Sequence, residues 1–192
     1  MIKINEVWSG NKMKKYWKEN LKGWLKAALF ASVAVAIMKS FLFLPVAIEG
    51  SSMFPTFQQN DQIIVGTIHQ IERFDVIVFR DDVNRTFVKR VIGLPGESIR
   101  YENDQLFVND QPVKESFLNN DYVEKAGGVW TSNFTLESLT GEAVIPEGHY
   151  FVLGDNRRLS HDSRYYGPIP AEMIVGEAIM VYYPLPRISV VN

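Results

Sequence analysis

The sequence contains no cysteine. Disulfides, thiol catalysis and thiolate metal sites are thereby excluded, while the compartment stays open, because an exported domain need not rely on bridges. Histidine is scarce too. His69, His149 and His161 are the whole supply, so the commonest general base of hydrolytic chemistry has few places to come from. The chain also lacks a strong global charge: over 192 residues the formal net charge is −2, which gives no basic footprint for nucleic acid. No repeat or low-complexity tract interrupts it. With 46% hydrophobic and 22% charged residues, it has the composition of a folded protein, long enough for one domain with an appendage.

The small net charge conceals an uneven distribution. Up to Lys26 seven lysines stand against Glu6 and Glu19, a net of +5; from Ser40 onward twelve Lys and Arg face twenty acids, a net of −8. The two ends suit different surroundings. Ala27 to Met38 carries no charge, and apolar character resumes from Phe41 to Ile48, with Lys39 and Ser40 between and Pro45 inside the second run. Taken together, 24–46 has the length of a helix that crosses a bilayer, roughly 20 residues. Lys39 would lift its amine to the interface on a long stem, and Pro45 would end the helix. Trp8, Trp17 and Trp24 suit an interfacial belt. A cleavable signal peptide with Ala34 and Ala36 near its cut, and a short buried core helix, are the competing readings. The apolar stretch runs on past those alanines, which favours an anchor. The expected division is a basic cytoplasmic segment 1–23, a transmembrane helix 24–46 in contact with the lipid bilayer, and an extracytoplasmic domain 47–192, in a single-pass topology.

Beyond Ser52 the pattern turns to short β-like runs. Gln62–Ile68, Phe74–Arg80 and Thr86–Leu94 are rich in Val, Ile and Phe, and Tyr150–Leu153 and Ile174–Tyr183 add two more. Ile99–Tyr101 and Leu106–Val108 flank Asn103-Asp104, a hairpin signal, and Asn109-Asp110-Gln111-Pro112 is a further turn signal. Pro170 to Met173 begins a short helical turn. Residues 114–144 are less periodic, most clearly Ser116–Thr140, and Gly127-Gly128 breaks them; they read as an insertion or flap. The expected fold is mainly β, an antiparallel sheet domain behind one N-terminal helix.

Three clusters carry chemistry. Gly50-Ser51-Ser52-Met53-Phe54-Pro55-Thr56 follows the apolar segment directly, and glycine before serine permits a sharp turn and close approach of a substrate. A serine hydroxyl needs a base, and lysine serves if burial keeps its amine neutral. Lys89 lies in a β-run whose alternation puts Phe87, Lys89 and Val91 on one face and Val88, Arg90 and Ile92 on the other. By itself such a lysine more often reaches out to water. Third, Gly154 to Arg164 crowds charges and hydroxyls after a β-run. It reads either as a solvated loop held by its own turns or as a polar scaffold behind a site. As a metal site Asp155, His161 and Asp162 lack clear ligand spacing, and neither metal nor cofactor is expected.

In this order, behind one anchor, the clusters resemble type I signal peptidases, specifically the short single-span form of Gram-positive bacteria. Gly50 to Thr56 is similar to the family's nucleophile box, in which the serine directly before Met attacks; this implies Ser52 rather than Ser51. Phe74 to Phe79 resembles the strand motif that follows. Lys89-Arg-Val-Ile-Gly-Leu-Pro-Gly-Glu97 resembles the box whose first Lys is the general base. Gly154 to Arg164 resembles the last box, which implies supporting roles for Ser160, Asp162 and Arg164. The resemblance spans about residues 20 to 183. In some members a serine two residues before the nucleophile helps hold the oxyanion; here that residue is Gly50, so no side-chain oxyanion donor is implied beyond the Ser52 backbone N–H.

The resemblance implies a membrane-bound serine endopeptidase that removes N-terminal signal peptides from exported preproteins through a Ser52–Lys89 dyad. Ser160 would hydrogen-bond the Lys89 amine, and Asp162 would pair with Arg164 to fix the loop. Substrate would pair in extended form at a strand edge, with small residues at the first and third positions before the cut. Ile48, Met53 and Val88 are the expected pocket walls. Three rivals remain: a Ser–His–Asp hydrolase built from Ser52, His149 or His161, and Asp155 or Asp162; a cytosolic Ser–Lys self-cleaving repressor, disfavoured by the basic flank and apolar segment; and a tethered β module without catalysis. Asn84-Arg-Thr86 and Asn133-Phe-Thr135 match a glycosylation sequon by chance if the chain is bacterial.

Overall fold

The structure is a computed structural model that describes residues 20–33, 43–66, 70–118 and 121–191. The chain divides into two compact units, Met1–Leu42 and Phe43–Asn192. In the first, residues 20–33 form a helix, α1, exposed along its length. Among the described residues no helix is long and apolar enough to cross a membrane. Of the span expected at 24–46, residues 34–42 lie outside the described residues. Its last part is not helical: Phe43–Ala47 is a strand, β1. The reason is local. Pro45 has no N–H for a helix, whereas β1 sits at the end of its sheet and among the described residues pairs only with β2 (Gln62–Gly66), a place that tolerates proline.

The second unit holds two antiparallel sheets. The larger runs β1-β2-β11-β3-β4-β9-β10, with β12 (Ser189–Val190) also on β11. Its remaining strands are β3 (Val76–Arg80), β4 (Thr86–Gly93), β9 (His149–Leu153), β10 (Ile169–Pro170) and β11 (Ile174–Tyr183). β3 reads Val-Ile-Val-Phe because both its faces are covered. Val76 and Val78 enter one core with Ile48, Met53, Phe57, Ile63 and Val65, while Ile77 and Phe79 enter another with Val91, Val152 and Ile169. Strand alternation therefore sorts one apolar run into two cores.

The smaller sheet runs β7-β6-β5-β8, from β5 (Ile99–Glu102), β6 (Gln105–Val108), β7 (Gln111–Val113) and β8 (Phe134–Thr135). Its two tight turns are Asn103-Asp104 and Asn109-Asp110, all four with positive φ, which Asn and Asp tolerate. The second turn is only the first half of the expected signal, since Gln111 and Pro112 enter edge strand β7. Residues 114–144 are more than a flap. They contain the short helices α2 (Asp121–Ala126) and α3 (Leu136–Thr140), and β8 completes the smaller sheet against β5. Leu136 is buried with Ile99, Tyr101 and Phe151, which ties that stretch into a third core.

Candidate active site

Ser52 lies in the turn that joins β1 to β2. Gly50 begins it at φ +82, a backbone state that side-chain-bearing residues rarely adopt. The turn is pinned from below by apolar contact: Met53 and Phe57 are buried in the first core beside Ile48. From behind, the Asn156 backbone N–H donates to the Ser52 carbonyl at 3.0 Å and the Asn156 side-chain amide donates to the Ser51 carbonyl at 3.2 Å. These bonds fix the peptide that carries the serine.

Lys89 comes from the middle of β4. It is 3% exposed, and its Nζ stands 2.9 Å from Ser52 Oγ and donates to the Val88 carbonyl at 3.1 Å. The Phe87 ring centroid is 6.0 Å from the amine. Burial lowers the Lys89 pKa from 10.5 to about 8, against the opposing pull of the Asp162 and Asp155 carboxylates. An amine so placed is a base within reach of a hydroxyl.

The loop after β9 backs this pair. Asp162 is fully buried; it accepts the Gly154 N–H at 3.0 Å and pairs with Arg164, whose Nε donates to Oδ1 at 2.8 Å and whose Nη2 donates to Oδ2 at 2.9 Å. The expected Asp162–Arg164 pair is thus formed, and Asp162 also caps the short helix α4 (Ser163–Tyr166). Ser160 is brought close but not as expected. Its Oγ is buried without a hydrogen-bond partner, so the expected bond to the Lys89 amine is not made. The side chain is packed instead against Gly154, where an added β-carbon would fall 2.3 Å from Ser160 Oγ and 2.4 Å from the Ser52 carbonyl oxygen.

Several supporting residues escaped the sequence reading. Arg90, next to Lys89 but on the other face, forks onto Asp155 with both side chains 1% exposed, and also donates to the Phe74 carbonyl at 2.8 Å. Thr56 donates to the same Asp155 carboxylate, tying the Ser52 turn to this pair. Arg157 is buried among Tyr101, Thr131 and Glu115 and donates to the Gly154 carbonyl at 3.0 Å, so the smaller sheet also grips the loop. The available signal was an arginine inside an apolar strand, which demands a buried partner.

The site opens into a groove of about 870 Å³. Ile48, Met53 and Val88, the expected pocket walls, all line it beside Ser52 and Lys89. The histidine alternative gains little. His149 Nδ1 lies 3.0 Å from the Glu147 carbonyl oxygen, His161 stacks on Tyr165, and Asp155 and Asp162 are both held by arginines. His69 lies outside the described residues. Among the described residues no group of three or more His, Cys, Asp or Glu is placed to hold a metal ion.

Known proteins match this arrangement. The family model described as signal peptidase, peptidase S26, matches residues 21–183. "Signal peptidase I V" of Bacillus subtilis is 41% identical over 157 residues, covering 80% of this chain and 94% of its own. "Signal peptidase I" of Bacillus caldolyticus is 41% identical over 163 residues, 83% of this chain and 90% of its own. Among solved structures, a crystal structure of a signal peptidase I from Enterococcus faecalis superposes with a TM-score of 0.53 at 38% identity, over 58% of this chain and 98% of that one. On sequence and on fold alike, the chain belongs to the signal peptidase family, peptidase S26, a family of serine endopeptidases.

Proposed function

We propose that this chain is a membrane-bound endopeptidase that removes N-terminal signal peptides from exported preproteins, with Ser52 as nucleophile and Lys89 as general base. The observation that carries the reading is the 2.9 Å separation of Ser52 Oγ and a buried amine. With a pKa near 8, about a tenth of Lys89 is neutral at pH 7 and ready to accept a proton. The relatives' shared designation as signal peptidases supports the substrate class.

The proposed steps use this geometry. Neutral Lys89 takes the Ser52 proton as Oγ attacks the scissile carbonyl carbon, and the oxyanion forms beside the Ser52 backbone N–H. The ammonium then returns that proton to the leaving amine, and the peptide C–N bond breaks to leave an ester on Ser52. Water attacks the ester with Lys89 again as base, and the acid product leaves as Ser52 regains its proton. Edge strand β1 offers backbone groups to an extended peptide. Ile48, Met53 and Val88 wall the side-chain pockets, which admit small residues by rejecting large ones. Asp162 and Arg164 hold the loop whose Gly154 packs closely against the Ser52 carbonyl and the Ser160 side chain.

The test is replacement at the dyad. Ser52→Ala and Lys89→Arg each abolish processing of a preprotein, since a guanidinium keeps its proton in this range, while Ser51→Ala keeps much of it. An active Lys89→Arg enzyme overturns the lysine base, and the opposite serine pattern overturns the nucleophile. The anchor is proposed on the lysine-rich flank and on the apolar stretch that begins at Trp24 and ends before β1, with the N-terminus cytoplasmic. Protease added to intact spheroplasts then digests residues beyond about 50; protection of that domain overturns the topology.

A further inference from the structure

His161 plays no part in the chemistry above, yet it lines the same groove as Ser52 and Lys89. Its side chain is exposed but not loose. The ring stacks on Tyr165 with centroids 4.7 Å apart and planes 12° apart, and lies 5.7 Å from Tyr166. Tyr166 is itself held against Phe79, 6.5 Å away, and Phe79 stacks on Phe87 of β4 at 5.5 Å. The platform beneath His161 is therefore anchored in the sheet that carries Lys89. Asp162, one residue on, turns inward to Arg164 and caps α4, which fixes the backbone on that side.

So mounted, the ring has no hydrogen-bond partner among the described residues, and the two nearby loop carboxylates are both committed to arginines. Burial pushes the Tyr166 phenol beside it up. Across the groove the charged lining residues are Arg80, Arg85, Lys89 and Glu49. Arg85 is paired with Asp81 at 2.6 Å, and Arg80 and Glu49 line the groove as well. Beside Arg80, and Lys89, which must be neutral to act, His161 is a further donor to an acid in the groove. A flat, pre-oriented imidazole with unclaimed ring nitrogens, on the wall of a peptide groove without surplus acid, fits a carboxylate.

We infer that His161 is a specificity residue: a ring N–H donates a hydrogen bond to an Asp or Glu side chain of the bound peptide beside the cut bond, so the groove prefers the acid there over its neutral amide. The inference rests on the reading of this groove as the peptide site.

The test compares peptides that differ only by Glu against Gln, placed in turn at the second residue before the cut and at the first and second after it. The full-length chain in detergent is used throughout. Because each ratio compares two peptides on the same enzyme, the titration of Lys89 cancels. At one position the wild type prefers Glu over Gln in kcat/KM about two- to fivefold at a fixed pH, the yield of one exposed polar contact to a carboxylate. In His161→Ala that preference is lost. A wild-type ratio near one at all three positions, or a preference that persists in His161→Ala, overturns the inference. Ser52→Ala separates it from the underlying reading. Cleavage surviving in Ser52→Ala counts against the nucleophile, whereas the Kd ratio of the two peptides for Ser52→Ala, compared at one pH with that for Ser52→Ala/His161→Ala, reports His161 without any turnover.

Discussion

Arg90 grips Asp155 as a closed fork, Nε to Oδ1 at 2.9 Å and Nη2 to Oδ2 at 2.8 Å, with both side chains 1% exposed. Lys89 and Arg90 are neighbours on β4 and point opposite ways, so one strand supplies the amine beside Ser52 on one face and the clamp for the Gly154–Arg164 loop on the other. Removing one partner leaves a buried charge uncompensated. Arg90→Ala therefore costs on the order of 3–5 kcal/mol in urea denaturation, and Arg90→Met with Asp155→Leu recovers part of it. A single variant as stable as the wild type would show that the fork carries no such role.

Gly154 has no space for a side chain. A β-carbon there meets Ser160 Oγ at 2.3 Å and the Ser52 carbonyl oxygen at 2.4 Å. Gly154→Ala must push the Ser52 peptide away, at a cost of about 1–3 kcal/mol in stability. Because the displaced backbone carries the nucleophile, kcat falls more steeply than the shift in Tm implies. Unchanged kcat with lowered Tm would mean that the loop, not Ser52, gives way.

The pKa of Lys89 is lowered in the folded state, from 10.5 to about 8, chiefly by burial. Activity on a peptide substrate rises with pH through about 8, as the amine loses its proton. Stability moves the same way. Below about pH 8 the amine is charged in both states and the native state bears the desolvation cost. Between 8 and 10.5 the unfolded chain holds a proton that the native chain has shed, so stability rises with pH; above 10.5 the cost is gone. The gap corresponds to about 3 kcal/mol. Lys89→Met, which titrates nothing there, gains stability relative to the wild type near neutral pH, and the gain shrinks toward pH 10. A difference independent of pH would contradict the lowered pKa.

Arg187 lies beyond the span that matches the family, in a short 3₁₀ turn (Leu185–Arg187). It reaches back to Asp61, with Nε and Nη2 each 2.8 Å from a carboxylate oxygen. Asp61 is 1% exposed and accepts the Gln58 N–H at 2.8 Å, at the far end of the turn that carries Ser52. Arg187→Ala leaves that carboxylate unpaired and costs about 1–3 kcal/mol, with a fall in kcat as the Ser52 turn loosens. Arg187→Lys restores only part, because an ammonium lacks the fork. Thermal melts with kinetics on the three proteins decide it.

Much of the fold was legible because its signals are local. The run of Ile174–Tyr183 is the strand observed, and Asn103-Asp104 turns the hairpin it promised, since side-chain branching and left-handed tolerance act within a few residues. The strand face shared by Phe87, Lys89 and Val91 was likewise readable, because alternation is a property of the extended chain. The end of the N-terminal apolar segment was misread: Pro45 and Val46 suit an edge strand as well as a helix terminus, and only the presence of β2 alongside chooses between them.

The site divides in the same way. By itself the sequence determined which residue types were present: one lysine in an apolar strand, two serines between Gly50 and Met53, acids and arginines crowded after β9, and too few histidines for an easy alternative. Tertiary structure decided the pairings. Arg90 takes Asp155 across 65 positions, Arg157 takes Glu115 across 42, and Ser160 turns onto Gly154 instead of reaching the Lys89 amine. Sequence spacing carries no record of such choices. They follow from which charges are desolvated together and which backbone approaches closely enough to exclude a side chain, and both are settled only when the sheets close on one another.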